Sequence, residues 1–168
     1  MFKKLFRKNK PATVDIVAPV TGRYVNLSEV PDPVFSGKMM GDGVAIQPEG
    51  AKTVVVAPVS GKIMMLADSY HAVGIKDDNG VEILVHVGLD TVELKGKGFK
   101  PLVSADDEVK AGQPLIEVDL QTIEESGKNT VIPVVVTNQE EKQYRLIHNE
   151  QETVQAGTTT IYSVELTK

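Results

Sequence analysis

Residues 71–87, HAVGIKDDNGVEILVHV, read as a β-hairpin: 71–76 and 81–87 are both strand-like, and the turn-rich DDNG of 77–80 separates them. If all four turn residues form the loop, Lys76 pairs with Val81 and His71 faces His86 directly. If Asn79 and Gly80 alone form a two-residue type I′ turn, the histidines become diagonal neighbours on one face. Only an odd-length loop would separate them. Opposed Cβ atoms lie about 4.5–5.5 Å apart, so either even-length reading lets two imidazoles share one chemical event. Along the second strand, Ile83, Val85 and Val87 are expected on one face and Glu82, Leu84 and His86 on the other. A histidine on so apolar a strand is partly desolvated, which disfavours its cation and keeps a neutral, nucleophilic nitrogen near pH 7. His148, in the polar stretch 144–152 (YRLIHNEQE), is expected on the surface.

Outward from the hairpin, short apolar segments broken by Gly, Pro, Asp and Asn are expected as strands at 14–18, 22–27, 43–47, 53–57, 61–66, 114–118, 130–137, 143–147 and 159–166. One helix is expected at 120–126, with Asp119 as N-cap and Gly127 just past its end. The pattern predicts an all-β fold: a compact antiparallel β-sandwich or barrel with one short helix. APVTGRYVNL at 18–27 recurs as APVSGKIMML at 57–66, and VKAGQPLIEV at 109–118 is echoed at 154–164, which predicts internal pseudo-symmetry. The glycine-rich stretch 37–46 lacks the Gly-Lys-Ser/Thr ending of a P-loop and is read as structural.

A chain of 168 residues that is 41% hydrophobic suits one domain, expected over 13–168, after a basic, flexible tail at 1–12. Lys3, Lys4, Arg7, Lys8 and Lys10 give the first ten residues a charge of +5 against −5 for the whole, which leaves −10 on the rest. An acidic body favours basic protein partners and argues against nucleic acid. Phe2, Leu5 and Phe6 among the tail's cations give two even readings, a weak contact with an anionic membrane or a solubilising extension. No apolar run is long enough for a membrane helix and no secretory leader opens the sequence, so the cytoplasm is expected. The absence of cysteine removes disulfides, thiolate metal sites and thiol nucleophiles.

Residues 80–98, GVEILVHVGLDTVELKGKG, closely resemble the active-site signature of the glucose-type enzyme IIA family of the bacterial phosphoenolpyruvate-dependent sugar phosphotransferase system. The resemblance extends to APVTG (18–22), VPDPVF (30–35), MMGDGVAI (39–46), APVSGKI (57–63), SYHAVG (69–74) and GFKPLV (98–103). It implies the duplicated hybrid motif fold and a phosphotransferase working through a phosphohistidine. The protein would accept phosphate from the histidine-containing phosphocarrier protein and pass it to a cysteine of a IIB domain of a sugar permease. His86 would carry the phosphoryl group on Nε2, with the Gly88 carbonyl holding its other ring nitrogen. His71 would contact the phosphoryl group, and Ser69, where the family has threonine, would orient His71. The family's docking surface maps onto Val34, Phe35, Met40, Val73, Leu84 and Val92, with the acids Asp32, Asp90 and Glu93. Core packing is the competing reading for each apolar residue, nearly even for Val73 and Leu84. The resemblance further implies a monomer with no obligatory cofactor. Zinc on His71 and His86, completed by a partner's carboxylate, would be conditional. An alternative role for the unphosphorylated form is regulatory binding of transporters or metabolic kinases.

Two other classes compete. A zinc peptidase would need a His-x-His element and further ligands, which three histidines at these spacings do not supply. A biotinyl or lipoyl carrier is suggested by the 109–112 turn, with Lys38 as the nearest lysine to modify.

Overall fold

Residues 12–166 are described by a computed structural model, and the elements below are those of the described residues. There are fourteen strands, with a few short helical turns between some of them: β1 Thr13–Val17, β2 Gly22–Asn26, β3 Gly43–Pro48, β4 Lys52–Val56, β5 Gly61–Leu66, β6 Ala72–Lys76, β7 Glu82–His86, β8 Phe99–Pro101, β9 Glu108–Val109, β10 Pro114–Asp119, β11 Ile132–Val136, β12 Arg145–His148, β13 Thr153–Val154 and β14 Thr160–Glu165. They form an antiparallel β-sandwich from one eight-stranded sheet, in the order β13-β2-β3-β11-β7-β6-β5-β9, and two three-stranded sheets, β1-β14-β12 and β4-β10-β8. The strands β8, β9 and β13 were not legible in the sequence, being only two or three residues long.

The expected repeat is a structural one. Strands β1–β3 with β11–β14 form one half, and β4–β10 form the other, so the second half is inserted into the first. Equivalent hydrogen bonds recur in both. Val17 N donates to Pro58 O (2.9 Å) and Val56 N to Pro19 O (2.8 Å), each half clasping the other. Gly112 N donates to Ala57 O and Gly157 N to Ala18 O, both at 2.8 Å. Ser60 Oγ accepts from Ala111 N and Thr21 Oγ1 from Ala156 N, so the serine and threonine of the repeated APVSG and APVTG motifs do the same work.

One short helix was expected, and three are present: α1 Pro33–Ser36, α2 Leu120–Glu125 and α3 Gln139–Lys142. The expected helix α2 is capped as its sequence indicates, Asp119 Oδ1 accepting from Thr122 N at 3.1 Å, with Gly127 at φ +82° beyond its end. The four residues of α1 escaped notice because they sit in a proline-rich segment, yet Asp32 Oδ1 accepts from Val34 N and Pro33 occupies the first turn, where its missing N–H costs nothing. Helix α3 displaces the start of the expected strand at 143 to Arg145.

Two apolar clusters result from the period-2 alternation of the central strands. Ile83, Val85 and Val87 enter the main core with Ile46, Ile75, Ile132 and Tyr162. Leu84 faces the other way into a smaller cluster with Phe35, Ala72, Leu89, Val131 and Val135. The candidate site lies on that smaller side.

Candidate functional site

The hairpin loop decides where the two histidines go. Asp77 is buried, and its Oδ1 accepts from Asn79 N (3.0 Å) and Val81 N (2.8 Å), while Asp77 N donates to Val81 O. That closure leaves a three-residue loop, 78–80, with Gly80 at φ +92° supplying the left-handed residue such loops need. The loop is therefore odd, against both even-length expectations. His86 pairs with Ala72, and Val87 N donates to His71 O at 2.7 Å, so strict alternation would put the imidazoles on opposite faces. They meet nevertheless, because His71 lies just before β6, after a turn in which Tyr70 has φ +62° and bonds back to Ala67 O. The ring centroids are 5.1 Å apart with the planes at 77°.

His86 stands on the ring of Phe35, centroid to centroid 5.1 Å. Its Nδ1 is 2.7 Å from the Gly88 carbonyl oxygen, which can only accept. Nδ1 therefore carries the hydrogen, and Nε2 is left with its lone pair. Burial pushes the His86 pKa down, against the opposing pull of the Gly88 hydrogen bond and of Asp32 and Asp90. Burial also lowers the His71 pKa, helped by the positive charge His86 would carry. Both shifts favour the neutral imidazoles near pH 7. Gly88 has φ +78°, and a Cβ there would lie 2.6 Å from Thr91 Cγ2 and 2.8 Å from Asn129 O, so only glycine fits.

Ser69 lies in the turn before His71 but does not hold it: His71 Nδ1 is buried without a hydrogen-bond partner. Among the expected docking residues, Val34, Met40 and Val92 are 39%, 37% and 53% exposed. With Asp32, Phe35, Asp90 and Thr91 they line a cleft of about 230 Å³ against His86. Three expected members are not surface residues. Phe35 is buried as the shelf beneath His86, Leu84 packs in the smaller cluster, and Val73 points into the main core because its neighbour Ala72 takes the site side. Glu93 is exposed and ion-paired with Lys128. Met39, next to Met40 in the chain, is 74% exposed. Thr91 and Asn129, to which the sequence assigned no role, also bond to the loop: the Thr91 hydroxyl turns inward to Val87 O, and Asn129 O, from a distant segment, accepts from Leu89 N.

His148 sits on β12, with Nε2 3.2 Å from Gly43 O and 3.7 Å from Asp42, in the other half of the molecule. Lys38 lies in the turn after α1 and pairs with Asp42, so it is not at the hairpin tip a carrier domain requires. No group of three or more His, Cys, Asp or Glu poised to hold a metal ion occurs among the described residues. No helix among them is long and apolar enough to cross a membrane.

Residues 14–142 match the family model described as phosphoenolpyruvate-dependent sugar phosphotransferase system, EIIA 1. A glucose-specific EIIA component from Bacillus cereus is 54% identical over 139 residues, covering 82% of this chain and 83% of that protein. Its counterpart from Staphylococcus epidermidis is 45% identical over 163 residues, covering 96% and 97%. The solved structure of glucose permease IIA from Mycoplasma capricolum superposes with a TM-score of 0.81 at 37% identity, covering 90% of this chain and 96% of that one. The chain belongs to the EIIA 1 family of the phosphoenolpyruvate-dependent sugar phosphotransferase system, a family of phosphotransfer components.

Proposed function

We propose that His86 accepts a phosphoryl group from the histidine-containing phosphocarrier protein and delivers it to a cysteine of a IIB domain. The observation that carries this reading is the Nδ1–H bond to Gly88, which leaves a bare Nε2 beside the apolar cleft. In the first step the Nε2 lone pair attacks phosphorus and the donor's nitrogen–phosphorus bond breaks. In the second the Nε2–phosphorus bond breaks as the partner's cysteine thiolate bonds to phosphorus, and His86 leaves as the neutral Nδ1–H imidazole. No proton has to leave His86, because the ring attacks in its neutral form. Catalysis then rests on positioning and on donors for the phosphoryl oxygens. His71 supplies one such donor through its Nε2–H, and its unpartnered Nδ1 is consistent with that tautomer.

The rim suits two successive partners. Val34, Met40 and Val92 offer a small, adaptable apolar contact, and Asp32, Asp90 and Glu93 attract cationic partners while repelling the phosphoryl charge toward transfer. Zinc at this place would have only two imidazoles from this chain, so it needs a partner's carboxylate. The protein works as a monomer in the cytoplasm. The N-terminal tail lies outside the described residues, and its proposed membrane contact is tested by comparing the full chain and a 1–10 deletion on anionic vesicles over a range of salt.

Reconstitution with phosphoenolpyruvate, enzyme I and the phosphocarrier protein, followed by a panel of IIB domains beginning with a glucose-type one, tests the relay. Labelled phosphate should pass through this chain to at least one IIB cysteine. Failure to label the chain at all would sink the proposal.

A further inference from the structure

The loop from Val87 to Thr91 is tied down at several points, and the ties lie on either side of the Gly88 carbonyl, which holds His86 Nδ1. Val87 is clamped on both sides of its residue: its N–H donates to His71 O at 2.7 Å, and its carbonyl accepts the Thr91 hydroxyl at 2.6 Å. Gly88 N donates to Val131 O at 3.0 Å and Leu89 N to Asn129 O at 2.9 Å. Asn129 in turn accepts from Val131 N through its side chain at 2.8 Å. Thr91 is wholly buried, so its hydroxyl has no water to bond, and it lies on the Gly88 side where a Cβ would meet its methyl group.

We infer that Thr91 is a positioning residue for the phosphoryl relay, its hydroxyl fixing the Val87–Gly88 peptide and thereby the hydrogen-bond acceptor that holds His86 in the Nδ1–H form. The inference rests on His86 Nε2 being the phosphoryl acceptor. Thr91 itself touches neither phosphorus nor the reacting nitrogen. Its effect is on which ring nitrogen carries hydrogen and on the direction in which the bare nitrogen points. Without the hydroxyl, the buried Val87 carbonyl would lose its partner and the short loop would rearrange to satisfy it. The Gly88 oxygen would move with it, and the ring would distribute its hydrogen over both nitrogens.

The test reads the ring directly. Nitrogen NMR of the unmodified protein should show His86 as a single Nδ1–H tautomer and a Thr91 hydroxyl proton in slow exchange with water. A tautomer mixture, or a hydroxyl exchanging as fast as a surface threonine, overturns the inference without any variant having to fold. In Thr91→Val, which removes the hydroxyl and keeps the shape, the ring should become a mixture of tautomers. The kcat for acceptance from the phosphocarrier protein should then fall on the order of tenfold to a hundredfold with KM unchanged, as expected for misplaced reacting atoms. Thr91→Ser should restore both readouts. A folded Thr91→Val with one tautomer and full kcat contradicts the role. If the parent shows the expected tautomer yet takes no phosphoryl group, the relay reading fails while the positioning of the ring stands.

Discussion

Where the β4–β10 half of the molecule places His86 opposite Ala72, the other half places Val135 opposite Gly43. The correspondence follows from the registers, since Lys62 pairs with Lys76 in one half as Arg23 pairs with Gln47 in the other. Val135 is fully buried in the smaller apolar cluster, while His86 opens onto the cleft. After β7 the chain enters the Val87–Thr91 loop with Gly88 at φ +78°, whereas after β11 it runs to Asn138 and α3. The backbone scaffold is thus duplicated down to its clasping hydrogen bonds, but the reactive site is single. A side chain and the loop behind it make the difference, and the strands they hang on do not.

Swapping the two positions should break this asymmetry most severely. His86→Val, which installs the other half's residue, should abolish acid-labile phosphate incorporation while leaving the fold intact. Val135→His should create no second acceptor, because the ring would be enclosed among Phe35, Leu84 and Val131. It should also cost about 1–3 kcal/mol in denaturant unfolding as a buried polar group without a partner. Incorporation by the single variant His86→Val would end the assignment.

Stability should not share the asymmetry. Ile46 and Ile75 are equivalent and both fully buried, so alanine at either should cost a similar amount, roughly 2–5 kcal/mol in denaturant unfolding. A difference of several kcal/mol between them would mean that the inserted half does not share the core on equal terms.

His71 sharpens the comparison within the site. His71→Gln should still take phosphate but pass it on at least about tenfold more slowly, because the lost N–H would have met charge developing in the transition state. Equal transfer rates would make its nearness to His86 incidental.

The smallest effect should be the pH dependence of stability. Both site histidines have folded pKa values pushed below the ordinary value of about 6.5. Their contribution is fully present above about pH 6.5 and is lost as pH falls toward the folded values, since the unfolded chain protonates first. Replacing both histidines by glutamine should flatten that part of the stability profile. An unchanged slope in the double variant would place its origin elsewhere.

The sequence made the alternation of β7 legible, because Ile83, Val85 and Val87 against Leu84 and His86 is a side-chain pattern that any sheet must respect. The repeat was legible for the same reason, APVTG and APVSG needing the same turn twice. The hairpin register was not, since it hinged on one carboxylate, Asp77, closing its own loop at Val81. The burial of Phe35, Val73 and Leu84 was equally hidden: apolar side chains suit a core and a docking surface alike, and α1 and the strand pleat assign each to its place. Thr91 read as one more polar residue of a signature until the fold turned its hydroxyl inward.

The central claim is that one ring nitrogen, His86 Nε2, receives the phosphoryl group. Phosphorylation by phosphoenolpyruvate, enzyme I and the phosphocarrier protein, followed by nitrogen and phosphorus NMR of the intact product, locates it to the atom. A single phosphohistidine at residue 86, with phosphorus coupled to Nε2 and Nδ1 still protonated, is the expected result. Phosphate on Nδ1 of His86, on His71 or on His148 would contradict the account.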